Sequence, residues 1–214
     1  HELKTPLSSI NLSLKLLENK RIGDLSDEQK EVINSLKQQS TRLSRVINEL
    51  LEFSQIETGN IKLTFTPVKP DIVLDIGITA LMMQISEKNI DLQIEIEEGL
   101  PEINADLEKV VFVFVNILNN AIRYSKANDE IKIYVKRINN EEVEFSIKDN
   151  GQGISLEDQE KLFQRFTQVG KKSKHGWGLG LAIAKEFIQA QRGRIWVESE
   201  VGQGSKFIFT IPIK

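Results

Sequence analysis

The sequence predicts an α+β protein: a helical hairpin, then a domain whose helices cover a mixed, largely antiparallel sheet. Three observations carry this. Apolar residues recur at heptad intervals through the first part of the chain, from His1 to about Thr58. From Ile61 onward, short stretches alternate apolar and charged residues, as half-buried strands do. These strands and the helical stretches between them follow no regular βαβ order, which favours a mixed sheet with helices laid on it.

The first helix is read from Leu3, Leu7, Ile10, Leu14 and Leu17, which alternate four- and three-residue steps. Lys20-Arg21-Ile22-Gly23-Asp24-Leu25 interrupts it. Ser26-Asp27-Glu28-Gln29 then reads as a capping box, Ser26 capping and Gln29 reaching back. A second seam follows in Val32, Leu36, Gln39, Leu43, Val46, Leu50 and Phe53, flanked by Ile33 and Ile47. Two helices are too thin to bury both seams, so a symmetric homodimer forming a four-helix bundle is expected. Packing of the hairpin on the rest of the chain is the plainer alternative. Thr58-Gly59-Asn60 ends the hairpin, which divides the chain into domains 1–58 and 59–214.

In the second domain Ile61 to Phe65 alternates as a strand. Asp71 to Lys88 is helical, with Met82 and Met83 read as core filler. Asp91 to Glu97 is a half-buried strand, and Asp106 caps a helix running to Tyr124. Strands Ile131 to Val135 and Val143 to Ile147 are joined by Asn139-Asn140. A helix over Leu179 to Gln191 precedes strands Ile195 to Glu198 and Phe207 to Ile211, linked by Gly202-Gln203-Gly204, itself read as a hairpin turn.

The composition narrows the chemistry. The chain has 214 residues, 40% of them hydrophobic, and a net charge of −3. No apolar run approaches the roughly 20 residues that span a bilayer, and no secretory leader is read in the opening HELKTPL. With no cysteine and two histidines, thiol catalysis and zinc centres are not expected. The near-balanced charge argues against nucleic acid as a partner. The expectation is a soluble, cytoplasmic segment whose metal, if any, is a hard ion held by oxygens.

Four clusters stand out in the second domain, the last of them Gly202-Gln203-Gly204, read as the hairpin turn above; the other three carry chemistry. In Asn116-Ile117-Leu118-Asn119-Asn120-Ala121-Ile122-Arg123-Tyr124, Asn116 and Asn120 are four apart and share a helix face. Amide oxygens suit Mg²⁺, and Arg123 suits phosphate. Asp149-Asn150-Gly151-Gln152-Gly153-Ile154 follows a strand; its aspartate can accept a hydrogen bond from an amino group, and its glycines permit close ligand approach. Gly176-Trp177-Gly178-Leu179-Gly180-Leu181 leads into a helix N-terminus, a place suited to phosphate. Between the second and third lies Ser155 to His175, polar and lysine-rich, as a mobile lid is. Each taken alone also fits a solvated helix face, an Asn-Gly turn or a plain loop. Near the start, His1-Glu2-Leu3-Lys4-Thr5-Pro6 offers a neutral imidazole beside a carboxylate, with a proline to bend the helix just past it.

Together and in this order, these clusters resemble the catalytic core of sensor histidine kinases of two-component systems. His1 to Leu7 is similar to the H-box, Asn116 to Ser125 to the N-box, Asp149 to Ile154 to the G1 box, Phe163 to Phe166 to the F-box, and Gly176 to Leu181 to the G2 box. Leu50 to Gly59 is similar to the junction between hairpin and catalytic domain. The resemblance implies a dimerisation and phosphotransfer hairpin followed by an α/β sandwich ATP-binding domain of the Bergerat type. It implies His1 as phosphoacceptor, Glu2 as its base and Thr5 as the group orienting water when the site dephosphorylates a partner. It implies Mg²⁺ on Asn120, with Asn116, Arg123 and Tyr124 about the phosphates and ribose. Asp149 then reads the adenine amino group beside Gly151 and Gly153, and Lys174, Gly176, Gly178, Leu179, Gly180 and Leu181 line the triphosphate under the lid. The implied partner is a response-regulator receiver domain docking near Leu14 to Lys20; a membrane enters only through segments outside this chain. Trp177 departs from the pattern, standing where the family usually carries a small Ser or Thr. Two rivals remain: a Bergerat-fold ATPase of the chaperone or topoisomerase kind, and a nucleotide-binding scaffold without phosphotransfer.

Overall fold

The computed structural model describes residues 4–17, 23–57, 61–167 and 178–213. The chain divides into two compact units, His1–Thr58 and Gly59–Lys214.

The first unit is a pair of helices, α1 (Lys4–Leu17) and α2 (Asp27–Glu57). The capping box forms as read: the Ser26 N–H donates to Gln29 Oε1 at 2.9 Å and the Gln29 N–H donates to Ser26 Oγ at 3.2 Å. Asp27 and Glu28 add negative charge to the first turn, where the helix dipole favours it. Each helix buries one narrow line. On α1 it is Leu7 and Leu14, and on α2 it is Ile33 and Ser40, each pair seven residues apart. The broader seam of Val32, Leu36, Leu43 and Leu50 stays exposed within the chain, as do Ile10 and Leu17. Two helices can shield only one line each, so the wider stripe faces outward.

The second unit contains β1 (Thr66–Val68), α3 (Pro70–Glu87), β2 (Asp91–Ile96), β3 (Ile103–Ala105), α4 (Leu107–Tyr124), β4 (Glu130–Ile138), β5 (Glu142–Asp149), α5 (Leu156–Gln159), α6 (Gly180–Ala190), β6 (Ile195–Ser199) and β7 (Ser205–Pro212). Five strands form one sheet in the order β2-β4-β5-β7-β6. Only β2 and β4 run parallel; the other neighbours are antiparallel, so the sheet is mixed and largely antiparallel as expected. β1 and β3 make a small separate antiparallel pair. Alternate residues on the central strands point into the core: Ile131, Ile133 and Val135; Val143, Phe145 and Ile147; Phe207, Phe209 and Ile211. Phe145 and Phe209 stack with ring centroids 4.8 Å apart. Helix α4 lies over β5 and between α3 and α6, contributing Val110, Val113, Phe114, Ile117 and Leu118 to the same core.

Both ends of α4 are tied to other elements. Asp106 caps its start, accepting the Lys109 N–H at 3.1 Å and the Thr64 N–H at 2.8 Å. The Asp106 N–H donates to Gln191 Oε1 at 2.7 Å, and Gln191 Nε2 donates to the Phe187 carbonyl at 3.1 Å. The start of the asparagine-bearing helix is thereby linked to the end of α6.

Several expectations need correction. The strand expected over Ile61 to Phe65 forms instead at Thr66–Val68, and its partner β3 was not anticipated. Strands of three residues are too short to show a period-two pattern. Met82 and Met83 are 55% and 74% exposed rather than core filler. The buried face of α3 is Val73, Leu74, Gly77 and Leu81, and the methionines lie off it. On β2, Leu92 is half-buried but Ile94 and Ile96 are exposed, because this strand is the sheet edge and pairs only with β4.

The contact of α3 with α4 depends on Gly77. A Cβ there would collide with the Phe114 ring and lie 2.7 Å from its Cε1, and Phe114 is fully buried with nowhere to retreat. Gly77→Val should therefore destabilise the second unit by about 1–2 kcal/mol. Overpacking of roughly 1–3 kcal/mol outweighs a helix-propensity gain below about 1 kcal/mol. Urea unfolding measures it; an unchanged midpoint contradicts the packing described.

Candidate functional site

The asparagine cluster lies on the second half of α4, where Asn116, Asn119, Asn120, Arg123 and Tyr124 are all half-buried. Asn116 Nδ2 donates to the Phe112 carbonyl at 2.9 Å, which holds the amide in one orientation with Oδ1 directed away from the helix backbone. Gly180 sits against that oxygen so closely that a Cβ at position 180 would collide with it. The first turn of α6 is thus brought beside Asn116. The residue before this turn, Leu179, is 3% exposed and supplies no side-chain cap. A helix start of this kind is suited to an anion. Leu181, on the same turn, is half-buried.

Gly178 takes a φ of +69°, open to glycine at little cost, and a side chain there would strike the Thr167 carbonyl oxygen. Residues 167 and 178, the described ends of the segment between the second and third clusters, therefore meet in space. Phe166 has a φ of +60°, a conformation uncommon for a bulky residue. The beginning of this segment is anchored: Ser155 Oγ accepts the Asp158 N–H at 3.2 Å to start α5, an element the sequence reading missed. Gln159 Nε2 donates to the Ile154 and Ser199 carbonyls, each at 2.8 Å.

Asp149 ends β5 and is only 4% exposed. Its Oδ1 accepts the Gly151 N–H at 2.8 Å. Burial pushes its carboxyl above the usual aspartate range; backbone hydrogen bonds from Gly151 and Ser205 pull the other way, and the charge of Asp129 adds to the rise. Glycines let neighbouring backbone come close around it. A Cβ on Gly151 would lie 2.7 Å from Asp149 Oδ1 and 3.1 Å from the Tyr124 carbonyl oxygen. One on Gly153, at φ +69°, would collide with the Glu200 carbonyl. One on Gly204 would collide with the carbonyl of Asp149 itself. Gly204, read as part of an ordinary hairpin turn, thus belongs to the surroundings of Asp149. Its signal was the strand register, which sets Asp149 opposite Ser205.

The structure therefore brings Asn116 to Gly180, and Tyr124 to Gly151 and so to Asp149. Arg123 lies with its guanidinium carbon 5.4 Å from the Tyr124 ring centroid. His1, Glu2, Lys174, Gly176 and Trp177 lie outside the described residues, and Thr5 falls within α1. Among the described residues no group of three or more His, Cys, Asp or Glu side chains could hold a metal ion. Mg²⁺ characteristically takes several ligands from substrate phosphates and water. The half-buried Asn120, a neutral oxygen donor one turn from Asn116, fits Mg²⁺ in that arrangement.

Residues 105–214 match the family described as "Histidine kinase-, DNA gyrase B-, and HSP90-like ATPase". Residues 1–59 match the "His Kinase A (phospho-acceptor) domain". The alginate biosynthesis sensor protein KinB of Pseudomonas aeruginosa is 32% identical over 213 residues, covering 100% of this chain and 36% of KinB. The crystal structure of full-length ShkA in complex with AMPPNP superposes with a TM-score of 0.82 at 28% identity, covering 99% of this chain and 44% of that one. ThkA, solved in complex with the response regulator protein TrrA, gives a TM-score of 0.69 at 26% identity over 100% of this chain and 59% of that one. The chain thus spans about a third to three-fifths of the length of these proteins.

Asp149→Asn tests the electrostatics of the site. An aspartate with a raised native pKa contributes most to stability below its unfolded value, about 3.8, and that contribution is lost as pH rises through the raised native value. The asparagine, which keeps an oxygen for the Gly151 N–H, should therefore melt no lower than the parent at pH 7. The difference in its favour should grow from pH 4 upward. Calorimetric melting across pH measures this; a mutant that is less stable at neutral pH than at acid pH, relative to the parent, contradicts it.

Proposed function

Because this chain belongs to the histidine kinase-, DNA gyrase B-, and HSP90-like ATPase family and opens with a histidine kinase phospho-acceptor domain, we propose that it moves the γ-phosphoryl group of ATP to a histidine. From there the group passes to an aspartate on a response-regulator receiver domain. The observation that carries the reading is the succession of the two domains on one chain, with the Asn116–Gly180 and Tyr124–Gly151–Asp149 contacts drawing the candidate site residues together in the second.

In this reading residues 1–58 are the dimerisation and phosphotransfer hairpin and 59–214 the catalytic ATP-binding domain. The γ-phosphorus–oxygen bond to ADP breaks as a phosphorus–nitrogen bond forms at His1 Nε2, while Glu2 takes the proton from Nδ1. Positioning and charge neutralisation do most of the work in such a transfer. Asn120 would hold Mg²⁺, which would supply charge neutralisation when bound. Asn116, Arg123 and Tyr124 hold the phosphates and ribose. Asp149 accepts from the adenine amino group beside Gly151 and Gly153. Lys174 and the turn from Gly176 through Gly178, Leu179, Gly180 and Leu181 face the triphosphate. Thr5 orients water when the same site removes phosphate from the partner.

The exposed seam of Val32, Leu36, Leu43 and Leu50 supports a homodimer through the hairpin. The receiver domain docks near Leu14 to Lys20. Among the described residues no helix is long and apolar enough to cross a membrane. The segment works in the cytoplasm, where ATP is abundant.

Incubation with γ-labelled ATP tests the reading. The chain should acquire a label that is lost in acid and stable in base, as a phosphoramidate is. His1→Gln should abolish labelling and leave nucleotide binding intact. Asn120→Ala should lower the labelling rate by at least about a hundredfold, the scale of a misplaced reacting group. Label that survives acid, or that persists in His1→Gln, contradicts the proposal.

A further inference from the structure

The geometry points to Lys88 as a positioning residue for nucleotide binding: from outside every sequence motif, it locks the C-terminal turn of α4 against the Asp149 loop. This rests on the nucleotide-binding reading above.

A helix leaves its last carbonyls without intrahelical partners, and in a buried place they need others. The end of α4 meets that need unusually fully. The Ala121 carbonyl accepts from the Ser125 N–H at 3.0 Å and from Ser125 Oγ at 2.8 Å. Lys88 Nζ then donates to the Ile122 carbonyl at 2.8 Å, to Arg123 at 3.1 Å and to Ser125 at 3.0 Å. All three ammonium hydrogens thus have a carbonyl acceptor, and the positive charge lies at the negative end of the helix dipole. The one remaining carbonyl of the turn, that of Tyr124, backs onto Gly151, which in turn donates to Asp149.

Lys88 is itself held in place. It closes α3, its N–H donating to the Gln84 carbonyl at 3.2 Å. Its own carbonyl accepts the Asn128 N–H at 2.9 Å, which fixes the loop after α4. Nearby, the Asp91 N–H donates to the Asp129 carbonyl at 3.0 Å. A single residue therefore joins α3, through its side chain the exit of α4, and through its carbonyl the loop into β4. The residues it steadies, Arg123 and Tyr124, are those facing the nucleotide, and the backbone beyond them touches the base-reading loop.

Lys88→Met keeps the length of the side chain and removes the donors. The prediction is a folded protein whose Kd for Mg-ATP rises by about tenfold, near the worth of one charge-assisted hydrogen bond. KM for ATP should rise with it, while the labelling rate at saturating ATP changes much less. Amide exchange at Tyr124 and Ser125 should quicken relative to the middle of α4. Lys88→Arg, which retains donors, should recover most of the affinity. Where Lys88→Met fails to fold, Lys88→Gln, with donors on a shorter amide, takes its place and should show the same KM effect. A purely structural lysine would lower the melting temperature of either variant and leave Kd unmoved in the folded fraction, and that result overturns the inference. So does an equal loss of affinity in Lys88→Arg. Absence of Mg-ATP binding by the parent chain would instead overturn the nucleotide reading on which this one stands.

Discussion

A carboxylate at the end of β5 is buried to 4% exposure, and the surrounding structure answers to it. Burying such a group is costly unless it is hydrogen-bonded, and Asp149 receives its bonds from backbone N–H groups rather than from a cation. For those N–H groups to come close, the chain on both sides of the strand must lack side chains. Gly151 provides this toward α4, and Gly204 toward β7. The carboxylate is left with a raised pKa. Displaced carboxylates of this kind often mark functional sites.

The second requirement is that α4 arrive at the right depth. Its start is joined to α6 through Asp106 and Gln191, its middle packs Phe114 against Gly77 of α3, and its end is closed by Lys88. Because the helix is restrained along its length, Asn116 can meet Gly180 and Tyr124 can meet Gly151 without further adjustment. Pre-organisation of this sort spares the ordering cost on binding. The hairpin follows a different logic. Ser26 and Gln29 fix where α2 begins, but among its described residues the unit buries only Leu7, Leu14, Ile33 and Ser40, and its wide apolar stripe stays exposed.

Much of this could be read in advance, and the parts that could are those governed by short-range rules. The capping box at Ser26, the Asp106 cap and strands β4, β5 and β7 each announce themselves within a few residues. The strand near Ile61 was misplaced because a three-residue pair is held by its partner rather than by alternation. Met82 and Met83 were put inside because hydrophobicity alone does not say which face of α3 turns inward. Within the site, the asparagines, Asp149 and the paired glycines were legible as motifs. Gly204 and Lys88 were not, since their importance comes from strand register and from a helix end more than 30 residues away in sequence, as the Ile122 contact at a separation of 34 shows.

The central claim is that the second unit recognises an adenine nucleotide through the Asp149 carboxylate. Calorimetric titration of the chain with Mg-ATP and with Mg-GTP at neutral pH tests it most directly. Adenine offers an amino group to a carboxylate at the place where guanine offers a carbonyl oxygen, so ATP should bind at least about a hundredfold more tightly. Equal affinity for the two nucleotides, or no heat with either, would contradict the account.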